Sequence, residues 1–334
     1  MRTGLQTRPG NNKQKVGRLW RAVRTWSFLN SISAKMTTFI NGVEIEDTFA
    51  EAFGMWCGRV IITAADRKWA YEAANKMTGF ATSIIACGCE AGIESDLDQT
   101  PDGRPGVSIL IFAPGKDSLA RHMRDRIGQC VLTCPTTACF NGLPGSEQVS
   151  IGGQVRFFGD TFQISKIIAG RRYWRIPVME GEFLIEEKFG LQRAVGGGNI
   201  LILGSDPQCT LKAAEFAVEA MKRVPGVILP FPGGIVRSGS KVGSRYKFLK
   251  ASTNDPFCPS LRGVVSSAIP DGVNSVLEIV MDGLDIDAIE QATRQGILAA
   301  CIPGIRRIAA GNYGGHLGKF KIYLNKVLEG VHFK

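Results

Sequence analysis

Apolar and polar positions follow two periods along this chain, and the order in which the periods alternate is repeated. In the first pass the β-branched run RVIITA (59–64) predicts a strand, and DRKWAYEAANKM (66–77), with apolar residues three and four apart, predicts a helix. TSIIAC (82–87) and GVSILIFA (106–113) read as strands, SLARHMRDRI (118–127) as a second helix and QCVLT (129–133) as a closing strand. The second pass runs NILIL (199–203), CTLKAAEFAVEAMKR (209–223) and VILP (227–230); after a long insertion come SVLEIVMD (275–282), IDAIEQATRQGILAA (286–300) and IRRIAA (305–310). Ala213, Phe216, Ala217 and Ala220 mark the apolar stripe of its first helix. Strand, helix, strand, strand, helix, strand is the order of a split β-α-β unit. The pattern predicts an α+β protein of two lobes, each a ferredoxin-like unit of four antiparallel strands on two helices, with one sheet face left over. The lobes are expected over 36–181 and 182–334, behind a leader of 1–35.

Composition changes this picture at the leader. The 334 residues suit two domains of roughly 150 each. Of the 40 basic residues, 8 fall in 1–35 with none of the 30 acidic ones, so the +10 net charge is mostly the leader's and the rest is nearly balanced. A folded body of that charge gives no footprint for nucleic acid or a membrane surface. Three readings stand for the leader: an upstream extension with Met36 as the start, a transit peptide using Trp20, Val23, Trp26 and Leu29 at helical spacing, or an interaction arm. No segment is long and apolar enough to span a bilayer, and cytoplasm is the expectation. The nine cysteines match no paired zinc spacing, and several sit inside apolar runs, so reduced thiols and no metal site are expected.

Three histidines (122, 316 and 332) leave proton transfer, if any, to carboxylates. Glu278 stands in the middle of SVLEIVMDG, and alternation puts it with Val276 and Val280, opposite Leu277, Ile279 and Met281. Two readings stay open: a solvated glutamate on an open sheet face, or a carboxyl whose pKa rises towards acid–base use where something covers that face. PFPGGIVRSGSKVGS (230–244) misses phosphate-loop spacing but offers N–H groups, Arg237, Ser238, Ser240 and Lys241 to an anionic group, and a plain loop reading competes. CPTTACFNG, AGNYGGHLGKF and TPDGRPG read equally as turns. Glu44, Glu46, Asp47 and Glu51, around two Phe, read as turn and helix-cap acids.

INGVEIEDTFAEAF, TPDGRPG, GQCVLTCPT, PFPGGIVRSGSKVG and AAGNYGG, in that order, resemble the formylmethanofuran–tetrahydromethanopterin N-formyltransferase family over 36–328. RRYWRIPVMEGEFL and KASTNDPFCPSLRG look most similar to its D-subunit branch in bacterial formyltransferase/hydrolase complexes. The resemblance implies a distal and a proximal lobe, a homotetramer with clefts between lobes and subunits, and possible hydrolase partners. It implies reversible formyl transfer between N5 of tetrahydromethanopterin and the amine of methanofuran or an analogue, in formaldehyde oxidation, with these carriers as co-substrates and no tightly bound cofactor. The family's acid–base glutamate falls on Glu278. Within the shared motifs the candidate substrate-binding residues are Phe231, Pro232, Gly233, Gly234, Ser238, Ser240, Lys241, Arg104, Asn312 and Tyr313. A non-catalytic, pterin-binding scaffold subunit is the second reading.

Overall fold

The structure, a computed structural model, describes residues 38–145 and 147–330; the leader 1–35 and His332 lie outside them. β1 (Thr38–Ile40) and β2 (Val43–Ile45) form a hairpin over Asn41 and Gly42, whose φ of 51° and 80° are the left-handed values an Asn-Gly turn supplies. β3 (Phe49–Thr63) follows, then α1 (Arg67–Thr78), whose N-cap Asp66 accepts from the Trp69 N–H. β4 (Glu90–Leu97), β5 (Gly106–Ala113), α2 (Lys116–Arg126) and β6 (Ala138–Asn141) complete a first group. Its strands lie in the order β4-β5-β3-β6, all neighbours antiparallel. Val60, Ile62, Ile109 and Ile111 from the strands share one buried core with Ala70, Ala73, Met77, Leu119 and Met123 from the helices.

After β7 (Glu147–Ser150), the antiparallel run β8 (Ile164–Ile168), β9 (Arg171–Val178) and β10 (Gly181–Glu186) extends this group, with β10 parallel to β6. β11 (Lys188–Gly204) opens the second group. α3 (Pro207–Met221) and β12 (Val227–Ile228) follow; the insertion then carries the small pair β13 (Lys241–Val242) and β14 (Ala251–Ser252). β15 (Ser275–Gly283), α4 (Ile286–Ala300), β16 (Ile305–Ala309) and β17 (Phe320–Tyr323) finish the chain. Here the strand order is β12-β15-β11-β16, again antiparallel. Ile200, Ile202, Ile279 and Met281 pack on Ala213, Ala217, Met221, Ile289 and Ile297 of α3 and α4.

Three expectations are corrected. TSIIAC is not a strand: Ser83 caps the single helical turn Ile84–Cys87, Gly88 ends it at φ 75°, and the strand is the more polar β4. A short apolar run fits either period, and the local caps decided it. QCVLT is not a strand either, because the π-helical turn Ile127–Val131 prolongs α2 with Ile127 and Val131 both buried; the closing strand forms beyond Pro135, as β6. Nor are the two groups separate sheets. Residues 53–57 of β3 pair with 192–196 of β11, which joins fifteen strands into one sheet. Glycine permits the junction: a Cβ on Gly196 would stand 2.1 Å from the Met55 sulfur.

At that junction two carboxyl groups meet. Asp282 is fully buried and Glu90 nearly so; Asp282 Oδ1 accepts from the Gly197 N–H (2.9 Å) and Glu90 Oε1 from the Ile84 N–H (3.1 Å). The other two oxygens, Glu90 Oε2 and Asp282 Oδ2, have no hydrogen-bond partner among the described residues, and the two carboxyl groups lie close enough for Asp282 to feel the charge of Glu90. Burial first, then the charge of Glu90, pushes Asp282 far above the ordinary 3.8. The fold therefore holds a proton that the unfolded chain releases. That contribution is complete in acid and is lost as pH climbs through the raised value. Asp282→Asn, whose amide donates at any pH, should remove the slope. Urea midpoints measured between about pH 5 and about pH 9 are expected to fall for the parent and stay level for the variant. Parallel curves would contradict a proton held on Asp282.

Candidate active site

Glu278 sits in β15 opposite Leu201 of β11 and on the same face as Val276, while its neighbours Ile279 and Met281 are fully buried under the helices. The face it occupies is covered, and by this same chain. Ile269 and Val273, from the long insertion, bury Leu201, Leu203 and Ala309, with Val276 and Phe257 packed alongside. Beyond β12 the edge of β15 is taken by Val236, whose N–H donates to the Glu278 carbonyl (2.7 Å) and whose carbonyl accepts from the Glu278 N–H (3.0 Å). Glu278 is consequently half-buried, with its carboxyl group taken out of bulk water.

The carboxyl group has one fixed partner. Asn199 Nδ2 donates to Glu278 Oε1 (2.6 Å), and Asn199 Oδ1 accepts from the Gly311 N–H (3.0 Å). The second bond sets the amide: with Oδ1 occupied by a donor, only the NH2 can face Glu278. A Cβ on Gly311 would come within 2.7 Å of Asn199 Nδ2, so glycine lets the loop approach this closely. Burial raises the Glu278 pKa, and the bond from Asn199 offsets only part of the rise. Because the Asn199 NH2 facing it can only donate, a proton taken up by Glu278 belongs on Oε2, the oxygen without that partner.

Beside it lies Tyr313. Burial and then the Glu278 charge push its phenol up, while the nearby Ser240 side chain acts the other way. Glu278, Ser240 and Tyr313, three residues from segments far apart in sequence, thus converge. Phe231, Pro232, Gly233 and Gly234 lead into the same strap as Val236, and they line a cavity of about 340 Å³ against Phe80, Thr82, Gly92 and Ile93 of the first group. Gly233 and Gly234 turn with φ of 63° and 80°. Ser238 is exposed on that strap, and Asn312 is exposed at the start of the Tyr313 loop, its Nδ2 donating to Thr48 Oγ1 (3.0 Å).

None of Glu278, Asn199, Ser240 and Tyr313 lines that cavity, and two further candidates are placed apart from both. Arg104 already has three partners: Nε donates to Asp102 Oδ2 in its own turn (2.8 Å), Nη2 to Thr63 Oγ1 (3.0 Å) and Nη1 to the Thr136 carbonyl. It lines a different cavity, of about 280 Å³, with Thr136, Thr137 and Glu180. Lys241 forms an ion pair with Asp255, which lowers the Asp255 pKa, so its charge is already matched. The sequence reading missed Asn199, although a lone amide between three glycines and ILIL was a visible anomaly. It also misassigned Glu51, which is no cap but a buried residue in the interior of β3. Among the described residues no group of three or more His, Cys, Asp or Glu is arranged to hold a metal ion, and the nine cysteines are free thiols.

Glu278, shielded from bulk water and bonded by an amide, stands with a phenol and a glycine-rich strap, the kinds of group that acyl transfer with proton relay can use. The chain belongs to the formylmethanofuran–tetrahydromethanopterin formyltransferase family: the family model of that description matches residues 38–178, and the model of the FTR proximal lobe matches 181–327. It is 59% identical over 295 residues to the formylmethanofuran–tetrahydromethanopterin formyltransferase of Methylococcus capsulatus, covering 86% of this chain and 99% of that protein. It is 51% identical over 302 residues to one of the subunits of the formyltransferase/hydrolase complex of Methylorubrum extorquens, covering 87% and 97%. Among solved structures it resembles the Methanosarcina barkeri enzyme (50% identity, TM-score 0.83, 87% and 100% covered). It also resembles a chain of the M. extorquens complex solved with methylofuran (50% identity, TM-score 0.86, 88% and 99% covered).

Proposed function

We propose that this chain transfers a formyl group reversibly between the primary amine of methanofuran, or an analogue of it, and N5 of tetrahydromethanopterin, with Glu278 as the proton carrier. The observation that carries the reading is the Glu278–Asn199–Gly311 chain of hydrogen bonds, a costly arrangement for a residue with no more than a sheet position to fill. The attacking amine adds to the formamide carbon, giving a tetrahedral oxyanion. Oε2 of Glu278 takes the proton that the attacking nitrogen must lose and returns it to the departing nitrogen. A base of raised pKa takes that proton more readily than an ordinary carboxylate. Tyr313, Ser240 and N–H groups of the 231–240 strap are proposed as donors to the oxyanion. Phe231, Pro232, Gly233, Gly234, Ser238 and Asn312 are proposed to hold the carriers; Arg104 and Lys241 would reach them only after leaving their present partners.

Both strand groups have the 2-3-1-4 order of a ferredoxin-like unit, which supports a two-lobed reading with the change of lobe near 181. A homotetramer, association with hydrolase subunits and a place in cytoplasmic one-carbon metabolism belong to the same proposal. Among the described residues no helix is long and apolar enough to cross a membrane. The scaffold reading differs in one respect, since a scaffold needs no turnover of its own. The purified chain without other subunits should transfer formyl from one carrier to the other, with the active species sedimenting as an oligomer. Carrier binding without transfer would favour the scaffold.

A further inference from the structure

The loop that carries Tyr313 is built around a carboxylate from outside it. Glu51 is 2% exposed, and both of its oxygens are saturated by backbone donors. Oε1 accepts from the N–H of Tyr313 (2.7 Å) and Gly315 (2.6 Å), and Oε2 from that of Leu317 (2.9 Å) and Gly318 (2.5 Å). Burial alone would raise the Glu51 pKa, but the four donors outweigh it and hold it below the ordinary value. N–H groups converging in this way form a nest, which commonly receives an anion. Here the chain provides the anion itself. Wrapping so closely needs glycine: Gly315 has φ +76°, and a Cβ on Gly318 would lie 2.7 Å from Glu51 Cβ and 2.9 Å from Ala52 backbone atoms.

The same loop is held at its other end by the site. Gly311 N–H donates to Asn199, which donates to Glu278, and two residues further on Tyr313 provides the first N–H of the nest. Between these two fixed points the backbone at Tyr313 is held. We infer that Glu51 is a positioning residue for formyl transfer: its carboxylate fixes residues 313–318 and, through them, the Tyr313 hydroxyl beside Glu278. This rests on the site proposed above. The backbone pairing of Glu51 with Lys321 of β17 does not involve the carboxylate, so the strand itself does not require the charge.

Glu51→Gln is the direct test, since one oxygen becomes an NH2 that faces two N–H donors. Transfer rates and amide hydrogen exchange would be measured for Glu51→Gln, Tyr313→Phe and the double variant. Glu51→Gln is expected to lower kcat by about 10-fold to 10²-fold, the range for a misplaced catalytic group, with smaller change in KM. Amides of 315, 317 and 318 should lose protection, and the double variant should be within about threefold of the slower single one. Gly315→Ala loosens the nest from the loop side, and should give the same kcat loss should Glu51→Gln not fold. Unchanged kcat despite lost protection, independent multiplying effects in the double variant, or parent turnover in Tyr313→Phe would each overturn the inference. None of these bears on Glu278, whose own variant judges the site.

Discussion

Glu278→Gln should fold as the parent does, bind both carriers, and transfer formyl about 10²–10⁴-fold more slowly, the usual size of a general acid–base contribution. Each half of the expectation has a structural reason. The substituted amide still presents an oxygen to Asn199 Nδ2 and leaves the Val236 backbone pair intact, so the local bonds that organise β15 and the strap survive. That amide has no lone-pair base at the position of Oε2, and a proton released by the attacking nitrogen has nowhere to go. Circular dichroism and carrier titration check the first half; steady-state rates check the second. Loss of fold would mean that Glu278 serves the sheet and not the chemistry.

Asn199→Ala should move the pH dependence of kcat and not merely lower it. Its NH2 is the hydrogen-bond donor to the Glu278 carboxylate, and it works against the rise caused by burial. A hydrogen bond to a charged group contributes about 1.5–3 kcal/mol, or about 1–2 pK units. Without it the carboxyl holds its proton to higher pH. Acting as base it must be ionised, so the acid limb of kcat should shift upward by about 1–2 pH units. A fall in kcat with the limb unmoved would show that Asn199 matters to shape and not to the proton.

What the sequence made legible follows from range. The alternation in SVLEIVMDG is local, and it correctly separated Glu278 from Ile279 and Met281. The helices 66–77, 209–223 and 286–300 were legible for the same reason, each with a near-matching element and an Asp cap. The long strands β3 and β11 were not, because glycines interrupt their alternation: QRAVGGG carries them where the strands meet, and in FGMWCG a Cβ on Gly58 would stand 2.7 Å from the Met123 sulfur. The 82–87 and 129–133 runs failed where apolar residues satisfied a helix as well as a strand. The site itself is assembled over distance: Gly311 meets Asn199 from 112 positions away, and the nest meets Glu51 from more than 260. No period in a sequence encodes such encounters, and Glu278 entered the candidate set through its alternation and the shared motifs. For Arg104 and Lys241 motif membership placed residues in the candidate set whose charges the fold has matched elsewhere.

The most direct test is kcat for formyl transfer measured across pH for the parent and for Glu278→Gln. The parent should show a single ionisation on the acid side, lying above the ordinary carboxylate range, and the residual rate of the variant should be flat where that ionisation was. An acid limb that persists unchanged in Glu278→Gln would assign the proton to another group and contradict the role given to Glu278.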